Sequence, residues 1–181
     1  MKKYAMVFDA GTGAGRCNLF DMSGRLVSYA YREWEYLKDL SSSNKEAMLF
    51  DAEQFKKILF SLCRKVITQA GISADEIVAV SATSQREGMV WLDRFGKEIY
   101  AAPSVDLRGE EAADILSGKE QFIKEITGLP VSGMFGLARL LWYKKFNEAV
   151  YDRIDTVMMI SDWICYLLCG SKVSEPSVAS S

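Results

Sequence analysis

The stretch Tyr4-Ala5-Met6-Val7-Phe8-Asp9-Ala10-Gly11-Thr12-Gly13-Ala14-Gly15-Arg16-Cys17-Asn18-Leu19-Phe20-Asp21 decides the fold. A short apolar run over residues 4–8 meets a turn of glycines and small polar residues at 9–15, and a second strand-like run follows over 16–21. A further turn, Met22-Ser23-Gly24-Arg25, leads into a third strand whose polar and aromatic residues alternate over 26–36. Residues 38–47 are polar, with three serines in a row, and read as a loop.

Outward from this meander, Phe55, Ile58, Leu59, Leu62, Cys63, Val66, Ile67 and Ala70 step by three and one, the stripe of an amphipathic helix. Asp51 is placed to cap its N-terminus, with Gln54 three residues on in the capping-box position. Phe50 and Phe55 form a hydrophobic staple across the cap, and Gly71 supplies a left-handed stop. Residues 77–82 then read as a buried-type strand, 89–93 as another, and the turn Arg94-Phe95-Gly96-Lys97 leads into a strand over 98–101. Helical patterns occupy 109–114, 119–126 and 136–146. A late strand at 156–160 precedes a helix over 162–169, with Ser161 as cap and Gly170 as stop. Three meandering strands, a helix and a return strand open the ribonuclease H-like, or actin-like, α/β fold: a mixed sheet with helices packed around it. A short α+β domain begins the same way, so order alone leaves both open.

Composition narrows the function classes. The chain has 181 residues, 49% hydrophobic and 25% charged, which suits one globular domain. A formal charge of −2 gives no basic footprint, so nucleic acid is not an expected partner. The apolar runs at 4–8 and 157–160 are too short to be a signal peptide or a membrane span. There are no histidines, which removes Ser-His and Cys-His nucleophile systems and leaves proton transfer to a carboxylate, Lys, Tyr or Cys. Four cysteines stand at 17, 63, 165 and 169 without a Cys-x-x-Cys pair. Cys165 and Cys169 read as core thiols, and a reducing cytoplasm is the expected compartment.

The turn at 9–15 carries the first chemistry. Glycines let backbone N–H groups approach an anion, and Thr12 adds a hydroxyl donor. Asp9 would serve by holding a hydrated Mg²⁺ and Arg16 by pairing with phosphate oxygens. The spacing is neither a P-loop, which needs Lys then Ser or Thr, nor a dinucleotide fingerprint, since the glycines fall at 11, 13 and 15 and a strand follows. A tight hairpin with no ligand is the bland alternative.

Asp9-Ala10-Gly11-Thr12 with Arg16 after an opening strand resembles the first phosphate motif of the FGGY carbohydrate kinases. Five further matches fall in the family's order. Ser84-Gln85-Arg86-Glu87-Gly88 resembles the segment that touches the sugar, and Ser104-Val105-Asp106-Leu107-Arg108 its Trp-x-Asp-x-Arg element. Thr127-Gly128-Leu129 and Arg139-Leu140-Leu141-Trp142 resemble the helical stretch beyond. The run from Ser161-Asp162-Trp163 to Gly170 resembles the family's late helix, and Ser174-Glu175-Pro176-Ser177-Val178-Ala179-Ser180 its catalytic strand-turn. Arg86-Glu87 resembles the glycerol kinase and autoinducer-2 kinase branches, and the missing Trp with the run 159–163 leans towards the autoinducer-2 kinase branch.

The resemblance implies an ATP- and Mg²⁺-dependent phosphorylation of a small sugar or polyol hydroxyl. It implies Asp9 acting through Mg²⁺, Gly11, Thr12, Gly13 and Arg16 at the nucleotide phosphates, and Gln85, Arg86, Glu87 and Asp106 at the sugar. Glu175 stands where the family has its catalytic Asp, and Ser104 where many relatives have Trp. Met134 stands near an aromatic contact of glycerol kinases. It further implies that residues 1–181 form an incomplete N-terminal sugar-binding lobe, lacking the C-terminal nucleotide-binding lobe and inactive alone, with a homodimer left open. A non-catalytic actin-like binding or regulatory module is the alternative of different class. Without the family register, Arg86 with Glu87 would be a surface ion pair, Asp106 with Arg108 a solvated turn, and Glu175 a loop residue. Asp162 reads as a structural charge in the first turn of a helix, and Trp142 and Trp163 as core.

Overall fold

The computed structural model describes residues 3–179. Strands β1 (Tyr4–Ala10), β2 (Ala14–Asp21) and β3 (Leu26–Glu33) form the antiparallel meander expected from the sequence. Two short ladder strands follow, β4 (Leu37–Lys38) and β5 (Met48–Leu49), which pair across the polar loop. Helix α1 (Ala52–Ala70) then carries the chain back to β6 (Ile77–Ser84), which lies parallel to β1. The sheet order is β3-β2-β1-β6.

Helix α1 begins and ends where its sequence signals put it. Asp51 accepts from the Gln54 N–H at 3.0 Å, Phe50 meets Phe55 with ring centroids 5.3 Å apart, and Gly71 closes the helix at φ 63°. Strand alternation turns Tyr4, Met6, Phe8 and Ala10 of β1 to the helix side, with Cys17 and Leu19 of β2 beside them. Against these pack Phe55, Ile58, Leu59, Leu62 and Val66.

A second sheet holds β7 (Met89–Leu92), β8 (Glu98–Ala102) and β9 (Thr156–Met159) in the antiparallel order β8-β7-β9. All four residues of β7 are buried because the strand is a shared wall. Val90 and Leu92 face the first core, while Met89 and Trp91 face a second one with Tyr100, Trp142 and Tyr143. A 3₁₀ helix spans Arg108–Leu116, followed by α2 (Glu120–Thr127), α3 (Gly136–Phe146), the short α4 (Glu148–Tyr151), α5 (Ile160–Cys169) and α6 (Pro176–Ala179). Trp142 and Trp163 are core, as expected.

Four expectations are corrected. Strand β3 stops at Glu33, because Trp34 folds back over the first hairpin instead of continuing the ladder. Strand β6 is largely exposed, with Val78 at 50% and Val80 at 45%, since it pairs with β1 on one side only. Cys169 is exposed and Cys165 only half-buried, so they are not both core thiols. Residues before and after Glu175 form no strand; the segment runs as a loop into α6.

Candidate active site

The hairpin between β1 and β2 is closed by the Gly11 N–H donating to Ala14 O at 2.9 Å. Its carbonyls are held from the protein side. Trp34 donates from its backbone N–H to Gly13 O at 3.1 Å and from its indole Nε1 to Thr12 O at 3.2 Å. Gln85 Nε2 reaches Gly11 O at 3.4 Å. Gly15 is required here, since a Cβ would stand 2.4 Å from Trp34 Cζ3. Among the described residues, neither the Thr12 nor the Gly13 N–H donates a hydrogen bond, and a Cβ at Gly13 would meet nothing within 4 Å.

Asp9 and Arg16 are cross-strand partners with Oδ2 and Nη1 3.9 Å apart, both partly exposed. Together with Gly11, Thr12 and Gly13 they line an open cavity of about 420 Å³, which Tyr31 and Glu33 complete. The Arg16 guanidinium lies over the Tyr31 ring at 5.6 Å. Tyr31 donates to Glu33 at 2.9 Å, and this bond to a carboxylate holds the phenol above its ordinary pKa. The free amides, the hydroxyl and the loosely held arginine fit a phosphate chain. Among the described residues no three His, Cys, Asp or Glu side chains gather as a metal cage. One carboxylate, Asp9, suits a Mg²⁺ that keeps water and phosphate in its shell.

The segment from Ser84 to Gly88, which joins the two sheets, is fastened at both ends to α5. Ser84 Oγ accepts from the Ser161 N–H and Gly88 O from the Ile160 N–H, each at 3.0 Å. Within it, Gln85 has its amide fully engaged. Oε1 accepts from Ser104 N–H and Oγ at 2.9 Å each, and Nε2 donates to Tyr36 Oη at 2.9 Å as well as to Gly11. Arg86 is exposed. Glu87 is only 5% exposed and has a left-handed backbone at φ 60°. Its Oε2 meets no hydrogen-bond partner among the described residues. Arg86 and Glu87 are therefore no surface ion pair.

Asp106 and Arg108 are both fully buried, which corrects the solvated-turn reading. The Asp106 carboxylate already accepts from Tyr100 Oη at 2.5 Å, Arg108 Nε at 2.7 Å and the Met48 N–H at 3.1 Å. Arg108 also reaches Asp39 and Tyr143 at 2.8 Å, and its guanidinium is ringed by Tyr100, Trp142 and Tyr143. Burial opposes the Arg108 charge, but the flanking phenols and Asp106 outweigh it and hold the guanidinium protonated. Burial likewise pushes the Tyr100 phenol well above its ordinary value, despite the nearby arginines, so it stays a donor to Asp106. The network anchors the polar loop between β4 and β5.

Glu175 is exposed in the loop before α6, where the Ser177 hydroxyl donates to its carboxylate. It lines neither the hairpin cavity nor the larger one described next. Its neighbour Ser174 donates to Asp162 Oδ2 at 2.7 Å, which ties the segment to the first turn of α5 and gives Asp162 the structural role expected. A cavity of about 470 Å³ around α2 and α3 is apolar and contains none of the candidate site residues. The structure thus gathers Asp9, Gly11, Thr12, Gly13, Arg16 and Gln85, places Glu87 on the adjoining segment, and leaves Arg86 and Glu175 exposed.

Sequence reasoning missed three residues that hold this site together: Trp34, Tyr36 and Arg139. Arg139 is fully buried and donates to Glu87 O at 2.9 Å and Ser104 O at 3.2 Å. A signal for it existed. Ala138, Arg139, Trp142 and Tyr143 form the buried stripe of α3, so helical spacing sets the arginine on a core face.

Comparison with known proteins places this geometry. Residues 4–181 match the family described as the FGGY family of carbohydrate kinases, N-terminal domain. The chain is 34% identical over 183 aligned residues to an autoinducer-2 kinase of Yersinia enterocolitica, covering 97% of this chain and 34% of that protein. It therefore spans about a third of the length of such curated relatives. Among solved structures, a gluconate kinase from Lactobacillus acidophilus superposes with TM-score 0.82 at 21% identity, covering 99% of this chain and 36% of the other. A xylulose kinase from Rhodospirillum rubrum does so with TM-score 0.83 at 22% identity, covering 98% of this chain and 37% of the other. These likenesses show the fold, the actin-like ATPase α/β architecture of sugar kinases. The chain belongs to the FGGY family of carbohydrate kinases, of which it carries the N-terminal domain.

Proposed function

We propose that this chain supplies the acceptor side and part of the phosphate side of an ATP-dependent kinase for a small sugar or polyol. The observation that carries the proposal is Gln85, which lies on the acceptor segment and whose amide touches the phosphate hairpin at Gly11 as well as Ser104. A kinase needs those two groups side by side, because its chemistry is mostly positioning and charge stabilisation. ATP would supply the phosphoryl group, and a bound Mg²⁺ would supply neutralising charge. The Thr12 and Gly13 amides with Arg16 take the phosphates, and Asp9 is the residue that would hold the metal. Glu87 accepts a hydroxyl of the acceptor, with exposed Arg86 as a donor beside it. Gln85 and Asp106 organise the site instead of touching the sugar.

Glu175 takes the acceptor proton as general base. Residues 1–181 act as the front lobe, the adenosine is held by a rear lobe of the parent protein, and the chain alone turns over no ATP. The resemblance to autoinducer-2 kinases supports an acceptor of that kind. No helix among the described residues is long and apolar enough to cross a membrane, and all four cysteines are free. Both suit a cytoplasmic site of action.

In a catalytically complete protein containing this chain, Glu175→Gln is expected to cut kcat by about 10²–10⁴. Near-normal turnover would remove Glu175 from the mechanism. Loss of every sugar effect in the native protein would favour a non-catalytic actin-like module.

A further inference from the structure

We infer that Arg139 is a positioning residue that fixes Glu87 as the hydroxyl-accepting group of the acceptor site; this deepens the functional reading above and rests on it. Glu87 combines two features that a folded chain normally avoids. Its backbone sits at φ 60°, a region where residues with a Cβ are rarely found. Its carboxylate is buried with Oε2 lacking a donor among the described residues. Such a conformation persists only where the surroundings over-determine it.

The surroundings do so through two grips on consecutive peptides. Arg139 Nη1 donates to the carbonyl of Glu87 at 2.9 Å, from 52 residues away in sequence. The next carbonyl, that of Gly88, accepts from the Ile160 N–H at the start of α5 at 3.0 Å. Gly88 leaves no slack, since a Cβ there would lie 2.6 Å from Ile160 Cδ1 and 2.9 Å from Gln85 Cγ. Arg139 Nη2 simultaneously holds Ser104 O at 3.2 Å, and Nη1 lies 3.4 Å from Tyr100 Oη. One planar fork thus fixes the acceptor segment relative to the segment at Ser104, a geometry that a single-headed ammonium does not reproduce.

Arg139 itself makes no ion pair among the described residues, and its Nε has no partner there. A buried, unpaired guanidinium that spends its donors on two loop carbonyls is poor value for stability alone. Its service is geometric. It turns the Glu87 carboxylate into a preset acceptor, and the missing donor at Oε2 is what a hydroxyl of a bound polyol supplies.

The test uses the 181-residue chain, with Arg139→Met and Arg139→Lys. Two readouts are taken: the Glu87 backbone ¹³Cα shift and ³J coupling, which report the left-handed conformation without any ligand, and calorimetric titration with glycerol, D-xylulose and D-gluconate. In Arg139→Met the left-handed signature is expected to vanish and affinity for the bound polyol to fall by about 10²-fold, the effect of misplacing a site group by about 1 Å. Arg139→Lys is expected to fold, keep part of the signature and lose about tenfold or less. An unchanged Glu87 signature in Arg139→Met would overturn the inference, whatever happens to binding. If Arg139→Met does not fold, the lysine variant decides: full native signature and affinity would overturn the inference equally. A native chain that binds none of the three probes, yet loses the signature in Arg139→Met, would support the coupling and overturn the sugar reading.

Discussion

Gln85 Oε1 accepts two hydrogen bonds from Ser104, one from its N–H and one from its hydroxyl, both at 2.9 Å. The same amide donates to Tyr36 and Gly11 through Nε2. Four contacts converge on one uncharged side chain, and each partner belongs to a different loop of the site. Gln85→Ala is expected to leave the Ser104 donors unsatisfied in a half-buried place, with a loss of about 1–3 kcal/mol in urea unfolding. Gln85→Glu keeps both Ser104 donors and can accept from the Tyr36 hydroxyl, but it sets a carboxylate oxygen against Gly11 O and so should fall between the two. A Gln85→Ala chain as stable as the native one would show that the strap carries no load.

The Asp106–Arg108 pair makes a different demand. Both side chains have no exposed surface and lie 2.7 Å apart. Arg108→Met strips the buried carboxylate of its cation and releases Asp39. A loss of about 3–5 kcal/mol is expected, because an uncompensated charge stays behind in the core. Against a typical total of about 5–15 kcal/mol this puts the chain near its limit, visible as a large fall in melting temperature.

Two glycines of the phosphate hairpin separate folding from binding. Gly15→Ala would drive a methyl to within 2.4 Å of Trp34 and force the indole off the Thr12 carbonyl. A cost of about 1–3 kcal/mol is expected from such overpacking. Gly13→Ala meets nothing within 4 Å, so its melting temperature should stay native. The added methyl does stand where a phosphate would approach, and binding of Mg²⁺-pyrophosphate is expected to weaken about tenfold, the loss of roughly one charge-assisted hydrogen bond. Equal pyrophosphate binding by both chains would show that the hairpin is only a turn.

Acid stability reports on the second turn. Asp21 accepts from the Ser23 hydroxyl at 2.6 Å and from the Ser23 and Arg25 N–H groups at 3.0 and 3.1 Å. These bonds, the Ser23 hydroxyl foremost, lower its pKa from 3.8 to about 2. Because the folded value lies below the unfolded one, the contribution is complete above pH 4 and disappears as pH falls towards 2. Asp21→Asn should therefore differ from the native chain at pH 5 and converge on it near pH 2, as followed by thermal melts. A constant offset across that range would contradict the assignment.

Much of the fold was legible because its signals are local. Strand alternation at Tyr4, Met6 and Phe8, the Asp51 cap and the Gly71 stop need no knowledge of distant residues. The departures come from long-range contacts. Nothing near Trp34 announces that its indole will cover Gly15, and nothing near Val80 tells that β6 has a neighbour on one side only. In the site, the gathering of residues 9–16 on one hairpin follows from their sequence order. The burial of Asp106 does not, because it depends on Tyr100, Arg108 and Met48 folding around it. Helical spacing sets Arg139 on a core face, but which carbonyls it grips was not legible, since its partners lie 52 and 35 residues away.

Whether Glu87 accepts a sugar hydroxyl is tested most directly by comparing the native chain with Glu87→Gln in sugar titration calorimetry. The native chain is expected to bind at least one small polyol, and the amide variant to bind it about tenfold or more weakly while folding normally. Identical titration curves for the two chains, or no heat from either across the panel, would contradict the account.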